Sequence, residues 1–393
     1  SGNSGTSGNT GASGTSGNAG SVGAATGNCG QDDNVFDGFM ACNKIIFQHN
    51  CLGNDASGFT SAQCLCTDMQ NIAIGGLAMQ CARCNSVCNN VAIGYAAMRC
   101  GSSNQGNVAI GYNALQMCHF TWGWCNNVAV GNGSMQNYVA SSSYCGSCSN
   151  RRCHNVALGY GSLCKSYWTE GVVAVGAWAG GSAYSSVGSI YVGNEVGQFD
   201  ASGCQNVAMG TCSFRNANGA AMRGNVIVGF RAGDVTKGCY NVIFGVETGR
   251  CSGCAGTYPK CSIIIGPYAN QYGSCGNKGD IFIGSFAGRS VGQTSISCHS
   301  TYLGIAAGQQ TTASGYNTGA SCFNLVIGGY SKVYGTAPKF QTIIATDGQG
   351  AGDCQVVIGV SSTTNIYLCG TVSKSSGTFR IVPPNPKKKG KFL

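Results

Sequence analysis

The sequence predicts an all-β repeat fold, a β-solenoid or β-roll made by stacking short coils. Three observations predict it. A step of the form apolar-x-apolar-Gly recurs fifteen times along the chain. Glycine accounts for 64 of 393 residues, about twice the usual ~7% share. Charged residues are only 9%, against about 25% in a typical soluble domain. So little charge leaves a large free surface poorly solvated, so much of that surface is expected to face other protein.

The repeat is plainest where NVAIGYAAM (90–98) is followed by NVAIGYNAL (107–115). Its steps end at Gly75, Gly94, Gly111, Gly131, Gly159, Gly176, Gly193, Gly210, Gly229, Gly245, Gly266, Gly284, Gly304, Gly328 and Gly359. Consecutive glycines are 16 to 31 residues apart, most often 17. Fifteen copies at that spacing are a repeat architecture, not a set of globular domains. In each copy three residues such as Val91-Ala92-Ile93 form a short strand, with the first and third on one face. The glycine then permits a turn or a close backbone approach. A second short segment follows, with a small residue three after the glycine: Ala97, Ala114, Ser134, Ser162, Ala179, Ala232, Thr248, Ala287 or Ala307. Variable loops lead to the next coil. The expectation is two short strands per coil, each coil stabilised by its neighbours. At ~4.8 Å per coil, fifteen coils make a rod on the order of 70 Å long.

The middle strand residue is Ala92, Ala109, Ala129, Ala157, Ala174 and Ala208 early on. Later it is Ile227, Ile243, Ile264, Phe282, Tyr302, Val326 and Val357. Both strand faces are therefore apolar and both need cover. One is expected to face the coil interior and the other a partner chain. Small alanines fit closely approaching protomers, and the larger residues a wider axial core.

Four regions follow. Residues 1–28 are a stalk with Gly at 2, 5, 8, 11, 14, 17, 20 and 23. That is a collagen-type period without proline, open to either a three-chain bundle or a flexible linker. Residues 29–70 read as atypical N-terminal coils or a cap, 71–360 as the β-roll repeats, and 361–393 as an exit segment. The exit carries Pro383, Pro384 and Pro386 and a lysine run. Lys387, Lys388, Lys389 and Lys391 supply four of the net +9 charges. The remaining charges form no basic stripe, so no nucleic-acid partner is expected. No apolar run reaches the ~18 residues of a membrane span, so no membrane insertion is expected of this segment. A chain beginning at Ser1 reads as processed or as a piece of a longer one.

The unit N-[VI]-A-[IVLM]-G-Y-x-A-[LM], over about residues 70–360, resembles the head repeats of trimeric autotransporter adhesins and similar repeats in phage and viral tail-fibre proteins. That resemblance implies a left-handed β-roll with three chains packed side by side. The segment SGTFRI (376–381), followed by prolines, looks like the stretch before the intramolecular chaperone of some tail fibres. Together they imply a structural fibre or spike, homotrimeric, extracellular or on a virion surface, that projects and attaches. A cell-surface adhesin and, less well supported, a glycan-processing spike are the alternatives; an open helical filament could also replace the closed trimer.

No catalytic residue, metal ligand or cofactor-binding residue is assigned. The four histidines, His49, His119, His154 and His299, lack metal-ligand spacing, and no phosphate-binding loop occurs. Of 26 cysteines, three pairs have CxxC spacing: Cys81–Cys84, Cys145–Cys148 and Cys251–Cys254. Such spacing also suits four-thiolate zinc, but disulfides are the expectation for a rod with little charge. The sequon at Asn132 reads as a false positive, because Ser134 holds the small inward position. Trp122 and Trp124, between Cys118 and Cys125, are candidate contacts for a host-surface glycan; the alternative is that they pack over the roll or seal a subunit seam. Trp168 and Trp178 share that ambiguity.

Overall fold

The structure is a computed structural model. It describes residues 35–37, 55–57, 71–80, 87–99, 104–116, 124–136, 152–166, 168–182, 185–199, 203–216, 222–234, 238–250, 260–272, 275–289, 296–309, 321–333, 340–348 and 356–359. Among these residues every regular element is a β-strand, and the architecture is a parallel-strand β-solenoid. The chain divides into two units, Ser1–Arg223 and Gly224–Leu393. The glycine triplets of 1–28 and the exit segment 361–393 lie outside the described residues.

In the first unit, the strands Ile72–Ile74, Val91–Ile93, Val108–Ile110, Val128–Val130, Val156–Leu158, Val173–Val175, Ile190–Val192 and Val207–Met209 stack as one parallel ladder. Two strands, Val35–Asp37 and Asp55–Ser57, extend it on the N-terminal side. The second unit stacks Val226–Val228, Val242–Phe244, Ile263–Ile265, Ile281–Ile283, Thr301–Leu303, Leu325–Ile327, Thr342–Ile344 and Val356–Ile358 in the same way. Thr342–Ile344 belongs to a coil that the glycine pattern misses, because Ala345 stands where the others have glycine. That coil accounts for the 31-residue gap between Gly328 and Gly359.

Inside and outside are reversed from the sequence expectation. The middle strand residue, Ala92 or Ile243, is fully buried in its own coil, and the first and third residues face out. The alanines therefore do not mark close approach of protomers, nor do the larger residues mark a wider axis. Their sizes are matched across the coil interior. Where the middle residue is Ala92, Ala109, Ala129 or Ala157, the residue four after the repeat glycine is Met98, Leu115, Met135 or Leu163, all buried. Where it is Tyr191, Ile227, Ile243, Phe282 or Tyr302, that position is Gly197, Gly233, Gly249, Gly288 or Gly308. A Cβ on Gly197 would lie 2.5 Å from the Tyr191 ring, and one on Gly233 3.0 Å from Ile227 Cδ1. In these coils bulk enters from one wall or the other and fills the same space; the coil of Ala174 and Gly180 is an exception, its space reached by Leu163 and Tyr191 of the flanking coils.

The segment after the repeat glycine is a turn, not the expected second strand. Alternate residues are left-handed, for example Ala96 and Met98, both with φ 52°. Each non-glycine residue there costs roughly 1 kcal/mol. Inter-coil hydrogen bonds offset this: Ala96 N–H donates to Gly76 O at 2.8 Å, and Met98 N–H to Ala114 O at 2.8 Å. The small residue three after the glycine is buried, as expected, at Ala97, Ala114, Ser134, Ser162, Ala179, Ala232, Thr248, Ala287 and Ala307. Several coils do carry a second strand, but it lies just before the main one, as in Trp124–Cys125 and Arg152–Cys153, or Ile296–Cys298 and Ser321–Cys322.

Candidate interaction face

Three columns of residues line the stack, and the first is asparagine. The Asn that opens each NVAIG step is buried at Asn71, Asn90, Asn107, Asn127 and Asn155. From Asn71 to Asn127 each side-chain oxygen accepts from the main-chain N–H and the side-chain amide of the next asparagine, and the Asn155 oxygen accepts the Val172 N–H at 3.0 Å. Between Asn127 and Asn155 both distances are 3.0 Å. The amide's other hydrogen turns outward to a carbonyl of the next coil, as from Asn71 to Val87 O at 2.9 Å and from Asn90 to Asn104 O at 2.8 Å. The second unit repeats this from Asn225 to Asn241 and on to the Ser262 N–H. The recurrence of Asn before most of the apolar steps was visible in the sequence; its meaning was not, because exposed turns also favour asparagine. Asn127→Ala should leave the Asn155 N–H buried without its acceptor and cost about 1–3 kcal/mol. Urea unfolding of the variant measures this.

The second column is cysteine, two residues before the ladder residue and on the outside of the short strand. It contains Cys88, Cys125, Cys153 and Cys204 in the first unit, and Cys239, Cys298 and Cys322 in the second. Cysteines meet in register on successive coils at Cys125–Cys153 and Cys298–Cys322, where Cα atoms are 4.7 and 4.6 Å apart, and both pairs are disulfides. Cys88 is separated from Cys125 by Gln105 in the same column, and both Cys88 and Cys204 are free thiols. Pairing thus follows coil adjacency, a signal that CxxC spacing does not carry. The disulfide candidates Cys81, Cys84, Cys145, Cys148, Cys251 and Cys254, whose partners the sequence left open, lie outside the described residues. Cys164 is an interior thiol of another kind: burial pushes its pKa up to about 11, and it donates to Gly181 O at 3.4 Å.

The third column is the candidate face itself. The first and third residues of the described repeat strands are all apolar except Thr301 and Thr342. They are half-buried or exposed, so each unit presents an apolar strip along its ladder. The residue after the glycine widens it with Tyr95, Tyr112, Tyr160, Phe230, Val246 and Ile305; Tyr112 is 52% exposed and Ile305 55%. Tyr95 stacks on Tyr112 with centroids 5.4 Å apart. A contiguous strip of this kind is uncommon on a free surface, which makes it the candidate face. The outside of the short strand is polar by contrast, with Gln105, Glu170, Arg223, Lys260 and Lys278.

All fifteen repeat glycines directly follow a strand and have positive φ. Trp122 lies outside the described residues, as does the side chain of Trp124, whose backbone starts a short strand. Trp178 packs on the roll, its ring edge-on to Tyr160 with centroids 5.3 Å apart. Ser134 is buried, the inward position expected of it, and donates to Gly131 O at 3.1 Å, while Asn132 is exposed. Among the described residues no group of three or more His, Cys, Asp or Glu side chains gathers to hold a metal. Among the described residues no helix is long and apolar enough to cross a membrane. No family model, curated protein or solved structure matches the chain.

Proposed function

We propose that this protein is a structural fibre or spike component whose chains associate through the outer strand strip, three to a rod, and that it projects from a virion or cell surface to attach to a target. The observation that carries this reading is the apolar outer face of the repeat strands, with Ile, Val and Tyr side chains left partly exposed in a single chain. Burying such a strip is favourable at about 25 cal/mol per Å². Solenoids already stack by repetition along their axis, so a lateral apolar strip calls for lateral partners. The two coil-to-coil disulfides favour an oxidising setting outside the cytosol. A host glycan or receptor contacted through Trp122 and Trp124 belongs to the same proposal. So does the likeness to adhesin heads and tail fibres.

Sedimentation with and without reductant tests the assembly. Three protomers are expected in both conditions, with thiols as secondary staples. A monomer in both would overturn the reading, and very large, heterogeneous mass would replace the closed trimer with an open filament.

A further inference from the structure

In the second unit the asparagine ladder changes chemistry at one coil. Asp280 occupies the ladder position, fully buried, between Ser262 before it and Ser300 after it. One carboxyl oxygen does what an asparagine oxygen does: it accepts the Ser300 N–H at 2.8 Å. The other stands where the ladder has an amide donor. In five other coils that amide donates to the carbonyl of the residue three before the next ladder residue: Val87, Asn104, Thr169, Met222 and Gly238. The equivalent residue for Asp280 is Ser297. A carboxylate has no hydrogen to give it, and both Asp280 Oδ2 and the Ser297 hydroxyl are buried without an aligned hydrogen-bond partner.

Among the described residues no cation pairs with the carboxyl. The Ser262 hydroxyl from the preceding coil turns to the Lys260 carbonyl at 3.5 Å. From the following coil come Ser297 and Ser300. Lys260 and Lys278 are exposed on the outside of the short strand. His299 is also exposed and stacks on Phe323, with centroids 5.3 Å apart. Asp280 is in none of the ion pairs among the described residues.

We propose that Asp280 is a proton switch in the ladder: as a carboxylic acid it imitates asparagine and donates to Ser297, and as a carboxylate it leaves the stack open at that coil. The proton is exchanged with solvent, so no co-reactant is involved. Burial pushes the carboxyl up to about 7, against the smaller opposing pulls of the Ser300 N–H and the Ser297 hydroxyl. An unfolded aspartate titrates near ~4. With the folded value raised, the stabilising contribution is complete below the unfolded value and is lost as pH rises through about 7. The second unit is therefore tightened by mild acid, the reverse of the usual carboxylate that stabilises when ionised. This inference does not depend on assembly and stands or falls separately from the proposed function.

The test compares the full chain with Asp280→Asn across the range from about pH 4 to pH 8. The wild-type melting midpoint should fall by several degrees relative to the variant as pH rises, with Asp280→Asn the more stable at the alkaline end. Parallel profiles would overturn the proposal. Should the variant fail to fold, infrared spectra of the wild type decide: a carboxylic-acid carbonyl band should persist into neutral pH and disappear above it. Loss of every such band by about pH 5 would also overturn the switch.

Discussion

Gly111→Ala should destabilise the first unit by about 3 kcal/mol or more and lower its melting midpoint accordingly. Two costs add. Gly111 has φ 132°, a region that side chains other than glycine's hydrogen rarely tolerate. The new methyl would also stand 2.6 Å from Gly131 O and 2.8 Å from Gly131 C in the next coil. That neighbour is main chain, fixed by the Gly131 N–H bond to Ile110 O at 2.8 Å, so it cannot swing aside. Moving it would transmit the displacement to Gly159, whose carbonyl lies as near to Gly131. Chemical denaturation of the variant measures the effect, and stability within about 1 kcal/mol of wild type would show that the glycine column is not closely stacked.

Phe282 and Gly288 supply the second large effect, read as a pair. Phe282→Ala removes a fully buried ring that stacks on Tyr302, with centroids 5.1 Å apart. A cavity of that origin costs about 3–5 kcal/mol. Gly288→Met alone should be at least as damaging, because its Cβ would overlap the Phe282 ring. Together the two substitutions recreate the arrangement of Ala92 and Met98, including the left-handed backbone that Met98 already accepts with φ 52°. The double variant should therefore be markedly more stable than the sum of the singles predicts, by about 1–3 kcal/mol of coupling in a double-mutant cycle. Additive losses would refute size matching across the coil.

How much was legible depends on the kind of signal. The repeat strands follow from local pattern, since Val-Ala-Ile before glycine favours extended backbone wherever it occurs. The side that faces inward does not follow from it: a strand of three apolar residues reads the same from both faces, and only the turn opposite decides. Met98 and Gly197 hold that information, six residues downstream of Ala92 and Tyr191. Ala345 concealed a coil because it breaks the glycine pattern. The second strand was expected after the glycine, where alternation of left-handed residues such as Ala96 and Met98 makes a turn instead. An apolar outer face was anticipated, though on the wrong residues of the strand. The disulfides were expected, but their pairing needed the coil register that places Cys125 on Cys153.

That register separates length from position. Between Val91 and Val108 the chain spends 17 residues, and between Val128 and Val156 it spends 28, yet each pair meets in the same alignment. The asparagine contact from Asn127 to Asn155 is no longer than that from Asn107 to Asn127. Lengthening a connection costs only about 0.6 kcal/mol per doubling. Loop size is thus free to drift in evolution while the scaffold beneath keeps its address, coil by coil. Such a protein can diversify its outer decoration, one segment at a time, without renegotiating its interior.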